Sequence, residues 1–160
     1  MNVKRISWLI IFALVSVSGF SQDVKKIKVT ELARIIAENK GPLIINFWAT
    51  FCKPCIEEMP AFEKMAAKYK QKGVQLIFVS LDMQDDYPKK VNAFVTKRKI
   101  KSRVTWLDET DADYFIPKID SSWSGAIPAT LFVNSQKGYK KFLEEQLSEE
   151  KLEKEIMAIL

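Results

Sequence analysis

The chain of 160 residues has two cysteines, and both stand in the run Trp48-Ala49-Thr50-Phe51-Cys52-Lys53-Pro54-Cys55. Thiols at this spacing can form a structural staple, share a metal ion, or shuttle electrons as a dithiol. A bridge across so short a stretch closes a very small loop and constrains little of the unfolded chain. A structural zinc site needs about four nitrogen or sulfur ligands. With no histidine and no third cysteine in the chain, only carboxylates or a second chain could complete one. Covalent haem attachment needs a histidine directly after the second cysteine, where Ile56 stands. Redox chemistry needs the two sulfurs close together, one open to attack and one shielded. The first turn of a helix provides this, because residues three apart share a face and the helix dipole stabilises a thiolate. Cys52 is therefore expected to be the nucleophile and Cys55 the buried resolving thiol, with no metal and no cofactor.

Those sulfurs need a strand to deliver them and a helix to hold them. Leu43 to Ala49 is a near-continuous apolar run, the pattern of a central strand covered on both faces. From Lys53 to about Gln71 the apolar residues Ile56, Met59, Phe62, Met65, Ala66 and Tyr69 recur at helical spacing, and Gly73 is a stop signal. Pro60 inside that stretch removes a backbone donor and is expected to kink the helix. Before the strand, a helix starts near Thr30 and ends at Gly41-Pro42. After the active helix, Val74 to Leu81 reads as a second buried strand. Asp85 or Asp86 then caps a helix with Pro88 near its first turn. Val104 to Leu107 is a short strand, and Asp111 to Ile119 a helical turn or two broken at Pro117. Ala129 to Val133 and Tyr139 to Leu143 flank an Asn134-to-Gly138 turn as a hairpin, and Ser148 caps a last helix. The order is that of an α/β domain with a mixed sheet.

Apolar content of 48% and charged content of 28% are ordinary for a globular domain. The first residues differ: Lys4 and Arg5, then an uncharged apolar run from Ile6 to about Val17, then Ser16, Ser18, Gly19 and Ser21. This order is that of a secretory signal over 1–21, cut before Gln22, with a domain over 22–160. An uncleaved anchor is the rival, but the run is shorter than the ~20 residues of a typical span. The expected location is exported and periplasmic, where thiols are usually oxidised. Net charge is +5, or +3 without Lys4 and Arg5. Lysines alternate with acids along the chain, so no nucleic-acid partner is expected.

In these residues the chain resembles the thioredoxin superfamily, and within it the exported TlpA/ResA-like thiol-disulfide oxidoreductases. The resemblance rests on Trp48 to Cys55, on Pro60 five residues after Cys55, and on Ile127-Pro128-Ala129-Thr130 directly before a strand. It implies a thioredoxin fold, a central mixed β-sheet flanked by helices. A TlpA-like insertion, about Val104 to Asp120, precedes the cis-proline strand. It implies that the Ile127–Pro128 bond is cis, that Pro128 faces the sulfurs, and that the Ile127 backbone pairs with an extended substrate. The buried aspartate of thioredoxin is replaced by Asn46, and Glu58 matches the acid that this group carries on the helix itself. Glu58 lies three residues from Cys55 and shares its face, whereas Glu57 does not.

Trp48 is expected in the substrate platform beneath the disulfide, or equally as a core aromatic. Trp123 either lines the groove or pins a loop, and Lys53 either steadies the thiolate or points into water. The implied activity is reduction of protein disulfides by a monomer that a membrane electron donor recharges. Lys53-Pro54 between the cysteines resembles the reducing members rather than the histidine-bearing oxidants. The alternatives are a disulfide-forming oxidant, a thiol peroxidase and a non-catalytic peptide-binding module. The peroxidase pattern Pro-x-x-x-Thr-x-x-Cys is missing before Cys52.

Overall fold

A computed structural model describes residues 23–160, so the expected signal segment and its cut lie outside the described residues. The apolar runs at the centre of the sequence become the middle of one sheet. In chain order the elements are β1 (Lys25–Ile27), α1 (Val29–Glu38), β2 (Leu43–Trp48), α2 (Lys53–Tyr69), β3 (Gln75–Ser80) and α3 (Lys89–Arg98). Then come β4 (Arg103–Leu107), α4 (Ala112–Ile119), β5 (Ala129–Asn134), β6 (Tyr139–Leu143) and α5 (Glu149–Ile159). The strand order is β1-β4-β3-β2-β5-β6. β1, β4, β3 and β2 run parallel, and β5 and β6 are antiparallel to their neighbours.

Every residue of β2 and β5 is buried, which is why neither shows an alternating pattern. Strand alternation sends Ile44, Asn46 and Trp48 of β2 to one face. There Ile44 and Trp48 join Phe62 and Met65 of α2, Val91 and Val95 of α3, and Leu152 and Ile156 of α5. Leu43, Ile45 and Phe47 face the other way, toward Leu32 of α1 and Ile119 of α4. Helices therefore cover both faces of a mixed sheet, the thioredoxin arrangement.

The sequence reading differs from the structure at three places. The edge strand β1 escapes it, because three residues with exposed Lys25 and Lys26 carry no period; such lysines also discourage edge-to-edge pairing. α3 has no aspartate cap: a short turn, Gln84–Asp86, comes first, and Pro88 occupies the cap position. Asp86 instead pairs with Lys90 at 2.8 Å, while the Tyr87 ring stacks on Trp106 at 4.2 Å. α4 continues through Pro117 to Ile119. Pro117 is exposed, and the carbonyl that loses its donor is that of exposed Asp113 in the first turn, which is open to solvent. The capping expectations at the end of the chain hold, with Ser148 Oγ accepting from Lys151 N at 3.2 Å.

Candidate active site

The site is built where the parallel strands end. β2 finishes at Trp48, and the chain turns through Ala49 to Phe51, closed by Cys52 N donating to Ala49 O at 3.0 Å. Cys52 is the N-cap residue of α2, and its sulfur accepts from Cys55 N at 3.3 Å. The two cysteines form a disulfide with Cα atoms 5.3 Å apart. Cys52 retains 7% of its surface exposed and Cys55 none, so a nucleophile approaching from solvent meets the Cys52 side of the bond. Phe51 beside it is exposed. Lys53 points into water, 3.8 Å from Glu57 on the next turn.

Cys55, Glu58, Met59, Phe62, Met65 and Tyr69 form the buried stripe of α2. A glutamate on such a stripe must find hydrogen-bond partners or remain neutral. Glu58 has partners: Oε1 accepts from Asn46 Nδ2 at 2.8 Å, and Oε2 accepts from Leu147 N at 2.8 Å. Asn46 reaches it because the strand period points it at α2, and its cross-strand partner Thr130 receives the other amide proton at 3.1 Å. Burial pushes the Glu58 carboxyl from its ordinary 4.5 up to about 7, against the lowering pull of the Leu147 and Asn46 donors. The pair predicted from helix spacing, Cys55 and Glu58, thus shares one buried face. Asn46 Oδ1 has no partner among the described residues.

The antiparallel register of β2 with β5 pairs Phe47 with Ala129. One step further along that register lies Trp48 opposite Pro128, so the Ile127–Pro128 segment borders the dithiol turn. The Ile127–Pro128 peptide bond is cis, as is Tyr87–Pro88, which the sequence reading did not anticipate. Pro128 is buried and Ile127 half-buried. Trp48 is fully buried against Phe94, with ring centroids 5.0 Å apart. It belongs to the cluster that contains both cysteines. Its ring therefore lies in the core beneath the dithiol turn. Trp123 also turns inward: its ring lies 4.7 Å from that of Phe47, and its Nε1 donates to Ala126 O at 2.8 Å, so it pins the loop before Pro128.

Two residues of the site went unnoticed in the sequence. Asp82, 4% exposed just beyond β3, accepts from Thr50 N with both oxygens at 3.0 and 3.1 Å. It also takes the Thr50 hydroxyl, and the Ser80 hydroxyl at 2.7 Å. It thereby fixes the turn that presents Cys52. Glu144, just after β6, accepts from Ser124 N at 3.0 Å and Ala126 N at 2.9 Å, and takes the Ser124 hydroxyl as well. It holds the loop that leads into Ile127. Ser-x-Asp at the end of a buried strand was the available signal for Asp82; Glu144 gave none. Among the described residues no group of His, Cys, Asp and Glu gathers that could hold a metal ion.

Solved structures share this arrangement of sheet and helices. A thioredoxin-related protein from Neisseria meningitidis serogroup B superposes with a TM-score of 0.64 and 22% identity, over 76% of this chain and 86% of that one. StoA from Bacillus subtilis superposes with a TM-score of 0.57 and 22% identity, over 74% and 85%. In sequence, the chain is 53% identical over 45 residues to thiol-disulfide oxidoreductase ResA of Oceanobacillus iheyensis. It is 43% identical over 61 residues to ResA of Bacillus thuringiensis. These stretches cover 28% and 38% of this chain, but only 23% and 32% of the relatives. The broader match runs over residues 15–138, from before the described residues through the dithiol turn, the α2 stripe and the cis-proline strand; on it this chain belongs to the AhpC/TSA family.

Proposed function

We propose that this protein is an exported thiol-disulfide oxidoreductase that reduces protein disulfides through Cys52 and Cys55. The observation that carries the reading is the Cys52–Cys55 pair at the start of α2, with Glu58 buried on the same helix face and shared between Asn46 and Leu147. The ResA relatives, thiol-disulfide oxidoreductases by name, support it.

In the reduced protein the Cys52 thiolate attacks one sulfur of a substrate disulfide, and the other substrate sulfur leaves as a thiolate that takes up a proton. A mixed disulfide then joins Cys52 to the substrate. Glu58 accepts the proton of Cys55, and the Cys55 thiolate attacks Cys52 Sγ. This forms the Cys52–Cys55 bond and releases the substrate's second thiol. Ile127 and Pro128 border the cleft, and the Ile127 backbone receives the extended substrate. The oxidised protein is then reduced by two electrons from a membrane donor. Residues 1–21 direct export to the periplasm and are removed, as their basic start, apolar run and small residues suggest. The protein works as a monomer, and β4 with α4 forms its TlpA-like insertion.

A Cys55→Ser variant incubated with a disulfide-bonded protein should accumulate a mixed disulfide at Cys52 that dithiothreitol releases, and the wild type should reduce insulin. A dithiol potential below about −200 mV agrees with a reductase, whereas one near −120 mV makes the protein a disulfide-forming oxidant.

A further inference from the structure

The basic residues of the chain are not as dispersed as their spacing suggests. Lys97-Arg98-Lys99-Ile100-Lys101-Ser102-Arg103 joins α3 to β4 and lies along the outer side of α2. Between them runs an open groove of about 810 Å³. Its wall is Ile56, Met59, Pro60, Glu63 and Ala67 of α2, continued by Lys70 just past the end of the helix, which recur at helical spacing and so form one face. That wall starts at the residue after Cys55 and extends for about 21 Å at ~1.5 Å per residue. The floor is apolar, made by Met59, Val74, Leu76 and Ile100.

The rim is strongly one-signed. Lys64, Lys70, Arg98, Lys99, Lys101 and Arg103 line the groove against a single carboxylate, Glu63. Glu63 already accepts from Ser102 N at 2.9 Å. Lys64 pairs with Glu149 at 2.5 Å, whereas Lys70, Lys99, Lys101 and Arg103 form no ion pair among the described residues. Lys99 occupies the left-handed region, with φ 53° and ψ 41° at the end of α3. Glycine fills that position without strain, so the chain keeps a cation at a conformational cost. Pro60, on the same wall, brings no N–H to the Ile56 carbonyl of the preceding turn.

We infer that this groove docks an acidic segment with interspersed apolar side chains on the disulfide-bearing partner protein, and so selects which disulfides reach Cys52. The inference rests on the oxidoreductase reading and adds the class of substrate. Carboxylates meet the unpaired cations, and apolar side chains sit on the Met59 to Ile100 floor. An extended segment of about seven residues spans the wall at ~3.3 Å per residue. Charge matching of this kind acts mainly on encounter and partner choice.

The test compares three peptides with the same disulfide: one without a tail, one with a Glu/Leu tail, and one with a Lys/Leu tail. At low salt kcat/KM should be roughly tenfold higher for the Glu/Leu peptide than for the tail-free one, and lower for the Lys/Leu peptide. The preference should vanish near 0.5 M salt, where the screening length is about 4 Å. A K70E/K101E/R103E variant should reverse the order while leaving the tail-free rate unchanged. If the triple variant loses the tail-free rate, K101E and R103E alone should each cut the acidic preference about threefold.

Equal rates on all three peptides, or an acidic preference that survives in the variants, would overturn the inference. So would loss of the preference to phosphatidylglycerol vesicles at low peptide concentration, which would make the groove a membrane contact. If no peptide is reduced, the oxidoreductase reading fails on its own. Anisotropy of the labelled Glu/Leu tail then decides the groove: binding that K70E/K101E/R103E abolishes upholds an acidic ligand, and no binding removes it.

Discussion

Asn46 Nδ2 donates to Glu58 Oε1 at 2.8 Å from the middle of a fully buried strand. One side-chain amide thus holds the only carboxyl on the buried stripe of the dithiol helix. The pairing explains how α2 tolerates a glutamate that is 3% exposed. It also makes Glu58 a group whose charge state matters to stability. Its carboxyl is raised from 4.5 to about 7, so the folded protein binds this proton more tightly than the unfolded chain does. Stability from this group is therefore full below pH 4.5 and falls as pH rises to about 7. The loss amounts to about 3 kcal/mol at most. A Glu58→Gln variant has no such dependence. Denaturant unfolding at pH 4 and pH 8 should show the stability difference between Gln and Glu shifting toward Gln at the higher pH, by up to about 3 kcal/mol. A difference that stays constant with pH would mean that Glu58 is not raised.

On the proposed mechanism the same relationship sets the pH profile of the resolving step. Release of substrate from the mixed disulfide should speed up as Glu58 ionises, with an inflection near 7. Glu58→Gln should flatten that inflection and slow release roughly a hundredfold, while the first attack by Cys52 is little changed. Asn46→Asp would set a second carboxyl in the place of the donor. The two acids would share one proton, and the inflection should move above 7. Stopped-flow measurement of Trp fluorescence during turnover of a peptide disulfide separates the steps.

The cysteines, Glu58 and the strand and helix that carry them are legible in the sequence because period and local spacing decide them. Cys55 and Glu58 fall on one helix face whatever the rest of the chain does. Asn46 is singled out by the resemblance, while alternation says only that it shares a face with Ile44 and Trp48. Asp82 and Glu144 were not legible, because each acts on a backbone segment distant in sequence, Thr50 and the 124–126 loop. Trp48 shows the reverse limit: its position beside the dithiol turn is local, but its burial depends on Phe94 of α3. The basic groove is hidden for the same reason, since Lys70 and Arg103 line one groove only once the end of α2 and the start of β4 are folded together.

Asp82 should matter more than its distance in sequence from the cysteines suggests. Its carboxylate takes Thr50 N and Oγ and the Ser80 hydroxyl, all neutral donors, in a buried site. Asp82→Ala leaves those donors unsatisfied and should cost about 3 kcal/mol by denaturant unfolding. Asp82→Asn keeps an acceptor for Thr50 but removes a negative charge near the dithiol turn. The Cys52 thiolate is then better tolerated, so the dithiol potential should rise by roughly 30 mV, the equivalent of about 1.4 kcal/mol. An unchanged potential in a stably folded Asp82→Asn protein would confine Asp82 to a structural part.

Glu144 should set how firmly the substrate edge is held. It accepts from Ser124 and Ala126, and those hydrogen bonds, Ser124's hydroxyl foremost, hold its carboxyl below the ordinary 4.5. A lowered value means that its stabilisation is present above about pH 4.5 and is lost as pH falls through the lowered value. Glu144→Ala should expose the Ser124 and Ala126 amides, raising their hydrogen-exchange rates about tenfold while α2 amides are unaffected. On the proposed mechanism Ile127 receives the substrate chain, so a loosened loop should raise KM for a peptide disulfide and leave kcat, which that mechanism assigns to Cys55 and Glu58, nearly constant. Glu144→Gln, which keeps one acceptor oxygen, should fall between the two. If kcat drops with KM unchanged, the loop acts on the sulfurs themselves and not on the docking of the substrate chain.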